Sequence, residues 1–327
     1  MKVLVTRPLP NEAIEMLKKK FDVTLNAEDR PLTRQELLDG LKGKDGVLCL
    51  LTDKMNAEAI GANPQLKIIA NYAVGYDNID VKAATANGIP VSNTPGVLTD
   101  ATAELAWSLL FSAARRIPES DRFTRDGKFK GWGPMMLLGR GITGKTLGII
   151  GAGRIGAAFA LKSKGFNMNV VYYEAAGKNE VLEKELGAKK VDLPELLKNS
   201  DFVSIHVPLT PETKHLIGEK ELKMMKPTAV LVNTARGPIV DEKALAKALK
   251  EKWIFAAGLD VYENEPKIEE ELLKLENAVL VPHIGSATVE TRTRMATLAA
   301  ENIIAALENK IPPTCVNPDF AKLKKSK

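Results

Sequence analysis

Short apolar runs alternate with amphipathic stretches from the N-terminus onward. Residues 2–6, 22–25, 46–51, 67–70 and 90–92 read as strands, and 11–19, 57–62 and 80–87 carry helical spacing. Thr33 and Glu36 stand in capping-box order and open a further helix that reaches residue 41. Gly88 ends the helix before the last of these strands. A long helical pattern over 99–116 follows, which Pro118 is expected to stop. Residues 119–142 are richer in Gly, Arg and Lys, with Phe123, Phe129 and Trp132 among them, and read as an arm and loops. A second alternating series starts near residue 145, with strands at 146–150, 169–173, 202–207, 229–233, 255–259 and 278–281. Asp192 and Glu195 form another capping-box pattern, Asp241 caps a helix through residue 250, and a long amphipathic pattern closes the chain over 288–307. Strands alternating with helices predict parallel sheets covered on both faces. The expected fold is therefore α/β, with two doubly wound parallel-sheet domains. One comprises 1–98 completed by 287–327, through the final helix packing back; the other comprises 99–286.

Composition narrows the class. Of 327 residues, 45% are hydrophobic and 27% charged, the balance of a globular chain. Cys49 and Cys315 are the two cysteines and form no CxxC pair, which argues against a zinc ribbon, a redox motif or a disulfide framework. No metal is expected. No apolar run approaches the about 20 residues that span a bilayer, and Arg7 and Pro8 come too early for a signal-peptide core. A cytoplasmic protein without membrane contact is expected. Net charge is +5, and its one concentration, Lys322, Lys324, Lys325 and Lys327, reads as a solvated end. No clustered basic face or module points to nucleic acid.

The strongest local signal is Gly151, Gly153 and Gly156 in GxGxxG order, directly after the strand at 146–150 and opening a helix. A second strand then ends in an acid, Glu174. A lone GxGxxG is weak, but this context completes a dinucleotide fingerprint. Gly151 allows the tight turn, Gly153 lets backbone approach a pyrophosphate, and Gly156 lets helix and strand close up. The helix start at Arg154 and Ile155 offers unpaired N–H groups to phosphate. Glu174 is suited to accept both ribose hydroxyls and to repel a 2′-phosphate. Ala175, Ala176 and Gly177 follow, with no Arg beside it. NAD(H) is the expected cofactor, with NADP(H) open through Lys178.

Three further strand ends each carry a polar residue: Arg236, Glu265 and His283. Strand ends face the ligand crevice in open α/β sheets. Hydride transfer to a 2-keto acid needs a proton for the carbonyl oxygen, polarisation of the carbonyl, and a grip on the carboxylate. Histidine suits the proton step. A neighbouring carboxylate favours imidazolium, and arginine can hold both oxygens. The chain has three histidines. His206, inside a predicted strand, reads as packed; His215, on a polar stretch, reads as solvated.

These motifs resemble the D-isomer-specific 2-hydroxyacid dehydrogenases over essentially the full length. The matching segments are Asn71 to Asp80 with its GxDNID pattern, Gly151 to Gly156, Asn233 to Gly237, Leu259 to Pro266, and Pro282 to Ser286. The resemblance implies two Rossmann-like or flavodoxin-like domains. It also implies that Arg236 binds substrate, Glu265 orients His283, and His283 is the acid/base. Backbone N–H groups of Val74 and Gly75 would grip the substrate carboxylate. Contacts to the cofactor are implied at Thr102, Val207, Pro208, Thr213, Thr234, Ala235, Asp260, His283 and Gly285. Within the family the chain is most similar to glyoxylate/hydroxypyruvate reductases, in which Leu51, Trp132 and Ser286 would line a small substrate site. Homodimerisation through the cofactor domain, with the 119–142 arm, is also implied. Phosphite-oxidising relatives share features around Tyr173 and Trp132, but carry Lys where Val74 stands. D-lactate, phosphoglycerate and an NAD(H)-sensing corepressor role are the alternatives, the last usually needing long flanking extensions.

Overall fold

A computed structural model describes residues 1–175 and 177–321. Ala176 and the basic tail read as a solvated end lie outside the described residues. The chain divides into two units, Met1–Leu98 with the segment from Ser286, and Thr99–Gly285.

The first unit is built on β1 (Lys2–Val5), β2 (Asp22–Leu25), β3 (Gly46–Cys49), β4 (Ile68–Asn71) and β5 (Val91–Ser92). All pair in parallel, in the order β2-β1-β3-β4-β5, the flavodoxin-like arrangement. β3 and β4 are buried at every position, as a sheet covered on both faces requires. Thr33 accepts a hydrogen bond from the Glu36 N–H while the Glu36 carboxylate accepts from Thr33, so the capping box is complete before the helix Arg34–Leu41. The helix Val289–Leu307 packs on the helix Asn11–Lys18 and on β3 and β4. Thr288 caps it.

The second unit carries β6 (Thr146–Ile150), β7 (Asn169–Tyr173), β8 (Lys189–Lys190), β9 (Phe202–Ile205), β10 (Val230–Asn233), β11 (Ala256–Leu259) and β12 (Ala278–Leu280). The order is β12-β11-β10-β9-β6-β7-β8. It is the Rossmann arrangement with one added strand, reversing direction between β6 and β9. The helix Thr99–Ala114 covers one face. Its Trp107 stacks on Phe159 at 4.8 Å between ring centres and donates its indole N–H to the Phe159 carbonyl at 2.9 Å.

Several local expectations change. Pro118 does not stop the helix before it. The break falls at Arg116, in the left-handed region at φ 56°, and Pro118 sits in the first turn of a new helix, Ile117–Arg125. A first-turn proline has no N–H to lose and its φ suits a helix start. Part of the expected arm is therefore helical. The Asp192 pattern is half a box: its side chain accepts from the Glu195 N–H at 2.7 Å, with no return bond among the described residues. The strand expected over 202–207 stops at Ile205. β8 and the helices Glu180–Leu186 and Glu219–Met224 were not anticipated from the sequence.

Candidate active site

Asn233 of β10 pairs with Leu259 of β11, and Leu259 with Leu280 of β12. Three neighbouring strands thus release their chains at one level, and the segments that follow carry Arg236, Glu265 and His283. Asn233 shapes the first: its side-chain oxygen accepts from the Ala235 N–H at 3.0 Å and its amide donates to the Arg236 carbonyl at 2.9 Å. A Cβ on Gly237 would stand 1.8 Å from the Tyr262 carbonyl carbon. Only glycine lets the arginine segment press against the loop that carries Glu265.

Glu265 Oε1 accepts from the Tyr262 N–H at 3.0 Å, and its Oε2 lies 2.9 Å from His283 Nδ1. Burial raises the Glu265 carboxyl, but the imidazole of His283, the Tyr262 N–H and the charge of Arg236 outweigh it, and the net shift is downward. An ionised carboxylate on Nδ1 fixes the ring and keeps a proton there. His283 Nε2 makes no hydrogen bond among the described residues.

Asp260 holds the histidine segment from below. Its carboxylate accepts from the Ile284 N–H at 2.6 Å and the Gly285 N–H at 2.8 Å, while its carbonyl accepts from the His283 N–H at 2.9 Å. Burial pushes the Asp260 carboxyl up, against those N–H groups and His283. Between these anchors His283 sits at φ 54°, a region few non-glycine residues enter and one that needs a rigid surround.

The glycine turn lies where β6 gives way to the helix Arg154–Lys162, with Arg154 and Ile155 in its first turn. Gly151 has φ 94°, and a Cβ on it would meet the Val207 nitrogen at 2.8 Å. A Cβ on Gly156 would stand 2.0 Å from the Gly151 carbonyl oxygen. A Cβ on Gly153 would meet nothing within 4 Å, so the protein's own packing gives no reason for glycine there. That open space fits the close approach of a ligand. Thr234 is buried and its hydroxyl has no hydrogen-bond partner among the described residues, a second feature that fits a bound polar group. Gly285 packs on Asp260 and Thr102. Val207 and Pro208 follow β9, and Thr213 ties its hydroxyl to the Pro208 carbonyl at 2.7 Å. The Glu174 carboxylate accepts from the Ala152 N–H at 2.9 Å, so it grips the glycine turn itself, a partner not expected from the sequence.

In the first unit, Asn93 and Asn71 donate to the carbonyls of Val74 and Gly75, each at 2.8 Å. The N–H groups of Val74 and Gly75 make no hydrogen bond among the described residues. Asn78 donates to the carbonyls of Leu50 and Asp53 at 3.0 and 3.1 Å, tying the loop of Leu51 to the loop of Gly75. Asn71, Asn78 and Asn93 were not singled out from sequence, though two of them lie inside the GxDNID segment. Leu51 is 37% exposed and Trp132 is 83% exposed. Ser286 opens the return segment into this unit, and its carbonyl accepts from the Arg292 side chain at 3.3 Å. His215 is not simply solvated: its Nε2 lies 2.7 Å from Glu263. Among the described residues, no three His, Cys, Asp or Glu side chains are placed to hold a metal ion, and no helix is long and apolar enough to cross a membrane.

The family model described as D-isomer specific 2-hydroxyacid dehydrogenase, NAD binding domain, matches residues 107–285. The chain belongs to this family. It is an oxidoreductase with a nicotinamide-cofactor domain. It is similar to a glyoxylate reductase of Thermococcus litoralis, 55% identical over 97% of each chain, and to one of Korarchaeum cryptofilum, 53% identical over 99% of this chain and 98% of the relative. A crystal structure of a Thermus thermophilus protein superposes with a TM-score of 0.91 at 45% identity, covering 97% of this chain and 100% of the other. An NADPH-dependent glyoxylate/hydroxypyruvate reductase of Sinorhizobium meliloti, solved with NADP and malonate, superposes at 0.85 with 32% identity, covering 98% and 97%.

Proposed function

We propose that this dehydrogenase reduces glyoxylate, and hydroxypyruvate as a second substrate, to glycolate and D-glycerate, with NADH preferred. The observation that carries the reading is the Glu265–His283 pair, with Nδ1 held at 2.9 Å and Nε2 without a partner among the described residues. The bound cofactor supplies a hydride to the carbonyl carbon. Arg236 draws electron density toward the carbonyl oxygen and pairs with the carboxylate, as a planar cation does best. His283 Nε2 delivers the proton to that oxygen, and Glu265 steadies the imidazolium before transfer. Val74 and Gly75, with N–H groups unused among the described residues, are suited to donate to the carboxylate oxygens, and Leu51, Ser286 and Trp132 to limit substrate size. The relatives' names support the substrate class. The exposed Phe129, Trp132, Met135 and Leu138 support a homodimer through this arm.

A substrate panel with NADH and NADPH, read as kcat/KM, tests the reading. Glyoxylate with NADH is expected to lead. His283→Asn is expected to lose at least ~10²-fold in kcat, the usual size of an acid–base contribution, with its melting temperature held. Full turnover in that variant refutes the proton role. Glu174→Ala is expected to narrow the ratio of kcat/KM between NADH and NADPH. A wild type that already favours NADPH overturns the role given to Glu174.

A further inference from the structure

Glu242 is an acid in the first turn of the helix Glu242–Lys250, a place where surface carboxylates are common. Here it is only 6% exposed. A buried carboxylate is costly unless its oxygens are satisfied. Both are satisfied, by backbone of a distant loop: the Glu263 N–H donates to Oε1, and the Glu269 N–H donates to Oε2 at 3.1 Å. These two residues bracket the turn in which the Lys267 N–H donates to the Asn264 carbonyl at 2.9 Å. Glu265 sits in that turn. The Glu263 side chain meets His215 at 2.7 Å, so the same loop is tied from outside as well. Gly237 presses on it at Tyr262.

We propose that Glu242 is a positioning residue for the reaction: its carboxylate clamps both ends of the turn that presents Glu265 to His283. The proposal rests on the reading of Glu265 and His283 as the acid–base pair. Glu242 touches neither substrate nor cofactor and acts through Glu265. The site asks for a carboxylate in particular, because both incoming groups are N–H donors. Glutamine keeps the shape but offers one oxygen and turns an NH₂ toward the other donor. Burial raises the Glu242 carboxyl, as do the nearby charges of Glu263 and Glu269, and the two N–H bonds oppose this.

Glu242→Gln is therefore measured alone and in a Glu265→Gln background, in the full chain, with the 2-keto acid and cofactor that turn over fastest in the panel. The single variant is expected to lose about tenfold or more in kcat, with KM for the cofactor within twofold, because the glycine turn is untouched. In the Glu265→Gln background the same change is expected to cost less than threefold, since residues acting through one another are not additive. A merely structural role predicts a lower melting temperature with normal kcat per folded molecule. Normal kcat, or an equal loss in both backgrounds, overturns the proposal. Normal kcat in Glu265→Gln alone instead removes the reading beneath it, and the proposal with it. If Glu242→Gln does not fold, Glu242→Asp is held to the same criteria. Failure of both to fold assigns Glu242 to folding and overturns the proposal.

Discussion

His206 sits one residue past β9, with its N–H bonded to the Ile150 carbonyl at 2.7 Å, its Nε2 2.9 Å from the Ser204 hydroxyl and its ring 5.2 Å from that of Phe159. Burial lowers its pKa from 6.5 to about 3. The unfolded chain then binds a proton below pH 6.5 that the folded chain refuses until about pH 3, so stability rises with pH across that window and is lost on acidification. The limiting slope is about 1.4 kcal/mol per pH unit. Part of the residue's surface still reaches solvent, so a smaller slope is expected. Urea melts between about pH 4 and 7 are expected to show a steeper acid loss in wild type than in His206→Asn, and equal slopes would refute the burial argument. The packing of His206 was readable from the apolar strand expected over 202–207, although that strand ends one residue before it. The His215–Glu263 pair was not, because its partners lie 48 residues apart and meet only through the order of strands. Arg236, Glu265 and His283 could be grouped from sequence because each follows a strand, and parallel strands release their chains toward the same edge.

At the level of elements, the glycine turn separates protein packing from ligand packing. Gly156→Ala places a Cβ 2.0 Å from a backbone oxygen, which no rotamer can relieve. A cost of about 1–3 kcal/mol is expected, a fall in melting temperature of about 2–12 °C at this size. Gly153→Ala meets nothing and is expected to melt like wild type while weakening cofactor binding at least ~10-fold. Thermal melts with and without NADH check both, and a Gly153→Ala protein with undiminished NADH affinity would show that no ligand approaches there. The turn was legible because its residues are local in sequence. Several strands were legible for the same reason, with β2, β6 and β7 matching their predicted bounds. The failures are physical too. A two-residue strand of exposed lysines has no apolar face to display. A proline marks either end of a helix, and the left-handed turn at Arg116, which decides between them, carries no glycine to announce it.

For the whole molecule, the chain's return into its first unit decides whether that unit stands alone. The helix Val289–Leu307 buries Met295, Leu298, Ile303 and Leu307. At about 1.5–3 kcal/mol for each large side chain, that is roughly 6–12 kcal/mol as an upper estimate, comparable with the total stability of an ordinary domain, about 5–15 kcal/mol. The segment beyond it is stitched to the edge strand β5. The Val316 N–H donates to the Val91 carbonyl at 2.8 Å, and the Asn317 side chain accepts from the Val91 N–H at 2.7 Å. Sequence pattern predicted a long amphipathic helix packing back on residues 1–98, but the elements it meets there are set by the order of β3 and β4, which periodicity does not encode. Residues 1–98 alone therefore lack the helix that covers one face of their sheet, whereas 99–285 keep their own buried clusters around Trp107 and Leu245. Expressed separately, 99–285 are expected to melt in one cooperative transition by circular dichroism. Residues 1–98 are expected to show none until a segment spanning 286–321 is supplied. A cooperative melt of 1–98 alone would mean that the final helix adds less than the unit's own margin, and that its burial, however extensive, is not what makes the five-stranded sheet stable.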